Sequence, residues 1–287
     1  MTRISMPAIF SRTPILRIPA GPPGPLDAGL PRWQASAMEP AGGIDALVRR
    51  MEGLLAPLEA AGDPARFFLA TYLRTTRAVA EELARGGFRD PGWVERWDVA
   101  FAGLYLDAVE AARAGRRPPE PWAVAFGAGQ GDGLPPLRHV LLGMNAHINY
   151  DLAQSLLAVI SEPEFDDPGV LAARRADHEH IDQVLVARVG AEDTELEAVG
   201  GPRSRTDRLL QPLNRLATKR FLRESRAKVW ANARLLDAAR RAGPAAYAAR
   251  LAELEGLAAT RVADLMAPGQ VVLKLAVKGF GVRLPDA

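Results

Sequence analysis

Apolar residues recur at helical spacing from Ile44 onward. The first such segment places them at i, i+3, i+4 and i+7 on one helix face: Ile44, Leu47, Val48, Met51, Leu54, Leu55 and Leu58. Residues 1–43 instead hold eight prolines and little periodicity. The pattern predicts an extended or partly disordered N-terminal arm at 1–43, followed by a single helical domain at 44–287.

Helix start and stop signals punctuate this domain. Asp-Pro pairs at 63–64, 90–91 and 167–168 each place an N-capping carboxylate before a proline suited to the first helical position, and Pro57 is expected to bend or end the first helix. Together with the periodicity, these signals predict helices at about 64–85, 91–114, 136–160, 168–189, 204–241 and 244–266.

The segments between these helices are less regular. Residues 116–136 are rich in proline and glycine and are expected to form a lid or an active-site loop. Residues 270–283 are expected to form a short strand pair or an apolar tail. Because the body has no sustained strand alternation, the predicted fold class is all-α, a multi-helix bundle-like or orthogonal array.

Composition limits the chemistry that the chain can perform. With 287 residues, 48% of them hydrophobic, it has enough material for a core, which excludes whole-chain disorder. The absence of cysteine excludes disulfides, thiolate metal cages, iron–sulfur clusters and a cysteine nucleophile. No apolar stretch of membrane-spanning length is present, and the charged, proline-containing start is unlike a signal peptide, so we expect a cytoplasmic protein.

Two of the four histidines share one spacing with an aspartate. His147 and Asp151 lie four residues apart on the predicted helix at 136–160, and His178 and Asp182 repeat this spacing at 168–189. Residues at i and i+4 lie about 5 to 6 Å apart at Cβ, so an imidazole and a carboxylate can bind one ion together. Two such helices would supply two histidines and two carboxylates to zinc, iron or manganese.

All four residues fall on the apolar stripes of their helices. Burial of an unpaired carboxylate is unfavourable by several kcal/mol, so a mononuclear or dinuclear metal site is the favoured explanation. The alternatives are a buried hydrogen-bonded network and two surface pairs. The remaining histidines, His139 and His180, are not assigned as ligands.

Other polar residues lie near this predicted site. Asp98 and Tyr105 share one face of the helix at 91–114, and Asp98 is a candidate ligand or general base. Asp177, although expected to be exposed, is a second candidate base. Arg74 and Arg77 are candidates to hold an anionic group or to pair with Asp98, with a plain surface position as the alternative.

A basic segment extends from residue 203 to residue 241. It holds twelve basic residues against three acidic ones. Such a face can attract a phosphate, a carboxylate-bearing substrate or an acidic partner, although a solvated helix face is the common explanation. No aromatic-interleaved or helix-turn-helix pattern accompanies it, so nucleic acid is not expected as a partner.

Two resemblances follow from these motifs. The stretch GMNAHINYDL at 143–152, with DPGWVERWDVAFAGLYL at 90–106 and the later H-x-x-x-D, resembles an uncharacterised family of helical proteins common in actinobacteria, over residues 40–240. The paired H-x-x-x-D spacing resembles the zinc-dependent phospholipase C and P1-type nuclease superfamily. That resemblance implies metal ligands at His147, Asp151, His178 and Asp182; those enzymes hold three zincs with five histidines, more than this chain has.

The sequence therefore predicts a metal-dependent enzyme. The leading hypothesis is a hydrolase in which a metal-activated water attacks an anionic, phosphate- or carboxylate-bearing small molecule or lipid-like substrate. A non-haem iron oxygenase or hydroxylase is the alternative enzyme. A non-catalytic helical scaffold with an arginine-rich docking helix is the alternative outside enzymes.

Overall fold

The computed structural model describes residues 42–128, 134–181, 183–184, 211–266 and 281–286, and for 211–223 it describes the backbone alone. The predicted N-terminal arm lies outside these ranges except for its last two residues. Most of the tail predicted at 270–283 also lies outside them.

The described chain is all-α, as predicted, and no strand occurs within these ranges. Its helices are α1 (Gly43–Ala60), α2 (Ala65–Ala84), α3 (Pro91–Arg113), α4 (Glu120–Gly127), α5 (Pro136–Ala146), a π-helical turn (His147–Asp151), α6 (Leu152–Val159), α7 (Glu162–Asp166), α8 (168–181), α9 (Gln211–Ala242) and α10 (Pro244–Met266). No helix in the described ranges is both long and apolar enough to cross a membrane.

Aspartate caps begin three of these helices as predicted. The Asp90 carboxylate accepts a hydrogen bond from the Trp93 backbone N–H at 2.9 Å. The carboxylates of Asp63 and Asp167 accept backbone N–H groups at the starts of α2 and α8 in the same way. Each cap pairs a backbone donor that the helix itself leaves without a partner, which typically stabilises a helix by about 1 kcal/mol.

The predicted helix boundaries differ from the structure at two helices and are refined at Pro57. The segment at 116–136 contains the helix α4, which begins with a proline in its first turn, in place of an uninterrupted loop. The five-residue helix α7 was not predicted because it is shorter than the window over which periodicity can be recognised. Pro57 lies inside α1 and does not end it, since the helix continues for three more residues.

The central element of the fold is the continuous helical segment 136–159, formed by α5, the π turn and α6. Its first part packs against α2, α4 and α10, and its second part against α3 and α9. Two clusters of buried apolar side chains lie along it, and Ile148 in the π turn contacts both of them. The predicted His147 and Asp151 thus lie at the centre of the molecule.

The C-terminal segment 281–286 is fastened to this centre by two buried asparagines. Asn232 of α9 donates to the Val282 carbonyl at 3.0 Å and accepts from the Leu284 N–H at 2.8 Å. Asn149 of the π turn accepts from the Val282 N–H at 3.2 Å.

Candidate functional site

His147 and Asp151 form a buried pair at the two ends of the π-helical turn. The backbone N–H of Leu152 donates to the carbonyl of His147, the i to i+5 bond that defines such a turn. Single π turns within α-helices occur frequently at functional sites, because the wider turn changes the direction of its side chains. His147 is 3% exposed and Asp151 is 1% exposed, so the predicted burial of this pair is confirmed.

Three side chains are joined through one carboxylate oxygen. Nδ1 of His147 lies 2.9 Å from Oδ2 of Asp151, and the indole Nε1–H of Trp122 donates to the same oxygen at 2.9 Å. Since an indole only donates, Oδ2 acts as an acceptor towards Trp122 and is well suited to accept from Nδ1–H as well. Asp151 therefore orients the imidazole through Nδ1. Nε2 is then the nitrogen that remains available for proton transfer.

Aromatic rings enclose the imidazole of His147. The Phe101 ring stacks on it, with 3.6 Å between centroids and 4° between planes. Tyr72 meets it edge-on at 4.7 Å. Three further rings have centroids within about 6 Å of it, namely Phe68, Tyr105 and Trp122. The enclosure keeps bulk water away and fixes the orientation of the ring.

Several buried polar atoms around this enclosure have no hydrogen-bond partner among the described residues. They are His147 Nε2, Asp98 Oδ2 and the phenol oxygens of Tyr72 and Tyr105. Buried polar atoms are nearly always paired in native proteins, and loss of a partner costs about 1 to 3 kcal/mol for each group. A group of such atoms in one place indicates a site built for water or a ligand.

Burial shifts the proton affinity of each titratable group here. It raises the pKa of Asp98 to about 7 and lowers the pKa of His147 well below its usual value. It also raises the pKa of Asp151 well above its usual value, while the hydrogen bond from Trp122 acts in the opposite direction. Burial and the negative charges of Asp98 and Asp151 raise the pKa of Tyr72, so its phenol lies within electrostatic reach of both carboxyls.

The second predicted pair lies in different surroundings. His178 is buried, and its Nδ1 accepts a hydrogen bond from the indole N–H of Trp230 at 3.0 Å. Trp97 packs edge-on against its ring at 4.6 Å between centroids. Asp182 lies outside the described residues. Within the described ranges, no three His, Asp or Glu side chains form a group that could hold a metal ion.

Asp177 supports a loop. It was expected to be exposed, but it is 2% exposed, because its two carboxylate oxygens accept the backbone N–H groups of Arg89 and Asp90 at 2.8 and 2.9 Å. These bonds fasten α8 to the turn before α3. Among the described contacts, both carboxylate oxygens of Asp177 thus accept backbone N–H groups. Asp177 was a candidate base, but these bonds leave it poorly placed for proton transfer.

The candidate arginines lie on α2. Arg77 forms an ion pair with Glu52 in which both side chains are more than 40% exposed, at the surface. Arg74 donates to the hydroxyl of Thr71 at 3.1 Å. Asp98 and Tyr105 are buried on the core side of α3, as their spacing predicted.

The basic segment at 203–241 is described in part. At its C-terminal end, Arg240 donates to the carbonyls of Leu157 and Ile160 at 2.9 and 3.0 Å, which pairs two carbonyls at the end of α6. Both Arg240 and Arg241 form ion pairs with Asp237. This end of the segment therefore stabilises the fold; residues 203–210 lie outside the described ranges.

Trp122 is the member of the site that the sequence did not identify. It belongs to α4, within the segment predicted as a loop, and it is fully buried. One sequence signal could have identified Trp122. It directly follows Glu120-Pro121, which is a helix-start pattern inside a proline-rich stretch. The bond to Asp151 spans 29 residues of sequence and depends on how α4 packs, so periodicity alone could not predict it.

The family of the chain follows from its similarity to a known family model. No curated protein and no solved structure matches the chain. Residues 44–268 match the model described as "Family of unknown function (DUF5995)", which covers the helical domain and includes every residue of the site above. The chain belongs to this family of unknown function.

Proposed function

We propose that the protein is a small-molecule hydrolase whose acid–base centre is the pair His147–Asp151. The observation that carries this proposal is the Nε2 atom of His147, which is buried and has no partner in the described part of the chain, while Nδ1 is held by Asp151 at 2.9 Å. A histidine oriented by a carboxylate, with its second nitrogen free, is the arrangement of a general base.

The proposed reaction requires only proton transfers and water. Nε2 of His147 takes a proton from water as the water oxygen forms a bond to the carbonyl carbon of an ester. The Asp151 carboxylate stabilises the imidazolium that forms. The bond between that carbon and the leaving oxygen then breaks, and the leaving oxygen takes the proton from Nε2. The products are an acid and an alcohol, and the pair returns to its starting state.

The unpartnered hydroxyl groups supply the complementary donors. A tetrahedral intermediate carries negative charge on the former carbonyl oxygen, and hydrogen-bond donors in a dry site stabilise such charge. The phenols of Tyr72 and Tyr105 are donors whose rings lie 4.7 and 6.0 Å from that of His147. Because their raised pKa values keep both phenols protonated, they remain donors throughout the neutral pH range.

The direct test is hydrolysis of 4-nitrophenyl acetate, followed by the absorbance of the released phenolate. We expect His147→Gln to lower kcat/KM by about 100-fold or more, the usual contribution of a general base. Asp151→Asn should lower it by a similar factor, because the imidazole would lose the carboxylate that orients it. Thermal melting of each variant, monitored by circular dichroism, shows that the fold is retained.

A matched control is His180→Gln. His180 is half-buried, bonds to Glu82 at 2.8 Å and lies outside the enclosure of His147. This variant should keep the wild-type rate within about twofold, since no transition-state contact is removed. A folded His147→Gln protein that keeps more than half of the wild-type rate contradicts the proposal. A wild-type rate no higher than that of free imidazole also contradicts it, and is the result that the scaffold hypothesis expects.

The second candidate is a metal-dependent enzyme, as the sequence predicted. The observation that favours it is again the free Nε2, because metal-bound histidines commonly place a carboxylate on their other nitrogen. In this form Asp151 orients the ligand, Asp98 is a candidate carboxylate ligand, and the ion would be zinc, iron or manganese acting on a small, anionic substrate.

Metal analysis of untagged protein separates the two candidates. The metal-dependent enzyme should purify with close to one equivalent of ion, and chelation should lower its melting temperature because metal binding stabilises the fold. Iron would favour the oxygenase over the hydrolase. A content below about 0.2 equivalents, with unchanged melting after chelation, contradicts the metal-dependent form and leaves the metal-free hydrolase.

A further inference from the structure

A cavity of about 140 Å³ lies beside the His147 enclosure. Three rings separate the two: Phe68, Tyr105 and Trp122 line the cavity, and all three also pack around the imidazole. The rings contact one another, with centroid distances from 4.8 to 5.7 Å. The cavity is therefore one layer of side chains away from the acid–base centre.

The volume of the cavity sets the size of its ligand. An engineered apolar cavity of about 150 Å³ in another protein binds benzene. A volume of about 140 Å³ therefore accommodates one six-membered ring with a small substituent, whereas a lipid chain or a nucleotide is too large.

Most of the residues that line the cavity are apolar, and the lining also includes the carboxylate of Asp63. The apolar part comprises Leu58, Pro64, Ala65, Phe68, Val109, Ala112, Trp122, Ala125 and Phe126. Asp63 lies at the start of α2, where one of its oxygens accepts the Ala65 N–H at 2.9 Å. Its charge adds to the effect of burial in raising the pKa of Tyr105, so this carboxylate and this phenol lie within electrostatic reach of each other.

The charges around the cavity favour a hydrogen-bond donor over an anion. Asp63 is half-buried, whereas Arg113 is exposed to solvent at the rim, where water screens its charge. His139 is half-buried and stacks on Phe67, and burial lowers its pKa, which favours the neutral imidazole. Arg66 stacks over Phe67 at 4.2 Å and does not line the cavity, so a ligand carboxylate would face Asp63 without a buried cation among the residues that line the cavity.

We propose that this cavity binds a compact molecule of single-ring size bearing a hydroxyl or amino group that donates to Asp63. This binding does not depend on the proposed function, because a layer of three rings separates the cavity from His147. Of the three rings that line the cavity and pack against His147, Tyr105 is the one whose polar group, its hydroxyl, has no partner among the described residues. It is the group best placed to couple ligand binding to the acid–base centre.

Phenol, toluene and benzoate are the probes, each titrated into the full-length protein by calorimetry. They share one ring and differ in donor and charge. Phenol should bind at least about tenfold more tightly than either of the other two, because a hydrogen bond to a charged acceptor is among the stronger ones. Benzoate binding as tightly as phenol would overturn the proposal, and so would the absence of phenol binding.

Two variants and one control connect this binding to the cavity. Ala112 lies exposed at the cavity edge, so Ala112→Trp should fill the opening and weaken phenol binding by about tenfold or more. Ala172→Trp places the same bulk at an exposed position on α8 and should leave binding unchanged. Asp63→Asn keeps an N-capping side chain but removes the charge, and should reduce the preference for phenol over benzoate. An Ala112→Trp protein that binds phenol as the wild type does would overturn the proposal.

His147→Gln keeps the two proposals separable. Its side chain lies behind the ring layer, so phenol affinity should remain within about twofold of the wild type, since no ligand contact is lost. Phenol binding without ester hydrolysis would retain the ligand class and remove the hydrolase. Hydrolysis that depends on His147, without phenol binding, would do the reverse.

Discussion

Gly143→Ala is expected to destabilise the protein by about 2 kcal/mol or more, the usual range for overpacking a core. Gly143 lies inside α5, where alanine would ordinarily be the better residue. A Cβ at this position, however, would lie 2.5 Å from Cγ of Phe68. Phe68 cannot withdraw easily because it packs against Tyr105, Trp122 and the His147 ring. The glycine is thus required by the close approach of α2 and α5.

Gly103→Ala provides the matched control for this prediction. Gly103 lies inside α3, and a Cβ added there meets no atom within 4 Å. This change should stabilise the protein by about 1 kcal/mol, the difference in helix propensity between alanine and glycine. Urea unfolding measures both variants. Stabilisation by Gly143→Ala equal to that by Gly103→Ala would show that Phe68 does not lie against Gly143.

Asp98→Asn is expected to stabilise the protein at alkaline pH, by an upper limit of roughly 4 kcal/mol. Burial raises the pKa of Asp98 from 3.8 to about 7, so the folded protein binds the proton more tightly than the unfolded chain. Between these two values the unfolded state loses its proton first. The stability of the wild type therefore falls as the pH rises through this window, and the loss is complete above about pH 7.

The variant removes this loss because an amide does not titrate. Its stability relative to the wild type should increase from pH 4 to pH 8, as measured by urea unfolding at each pH. The histidines His147 and His178 destabilise the fold at acid pH, because burial lowers their pKa values, but this effect is common to both proteins and cancels in the difference.

Asp107→Asn is the control on the same helix. The Asp107 side chain is 54% exposed and pairs with Arg50 at the surface, so its replacement should change stability by less than about 1 kcal/mol at any pH. If the difference between Asp98→Asn and the wild type stays constant between pH 4 and pH 8, the carboxyl of Asp98 does not have a raised pKa. In that case Asp98 would be unsuited to act as an acid near neutral pH.

The central pair and the cavity place opposite demands on the same three rings. Phe68, Tyr105 and Trp122 must pack tightly enough to hold the His147 ring in place, yet they also form the wall against which a ligand would bind. Phe68 can occupy this layer because Gly143, which lies against it, has no side chain. A substitution there should therefore alter phenol binding as well as stability, which connects the two predictions to one part of the fold.

Helix positions and caps could be predicted from local sequence. The Asp-Pro caps at 63, 90 and 167 are confirmed, because capping depends on residues within one turn of each other. The i, i+4 pairing of His147 with Asp151 is likewise a local property of one helix, and its burial follows from the apolar stripe on which both residues lie.

Contacts between distant segments were decided by the tertiary structure. The sequence predicted one ion shared by His147 and His178, and this stays a prediction; what the tertiary structure adds is the neighbour of each ring, Phe101 for the first and Trp230 for the second. Periodicity fixes which face of a helix is buried but not which helix it meets. Nor could it show that Trp122 would reach Asp151, or that Asp177 would fasten a loop, since both depend on side chains far apart in the chain.

The sequence alone thus determined an all-α chain without cysteine, in which a histidine and an aspartate share the buried face of one helix. Only the tertiary structure decided that Asp151 holds Nδ1, that Nε2 lies within a layer of rings, and that a cavity of single-ring size lies behind that layer. The physical reason is the distance along the chain over which each interaction acts. Helix formation and capping depend on a few neighbouring residues, whereas an enclosure requires side chains from several helices to converge.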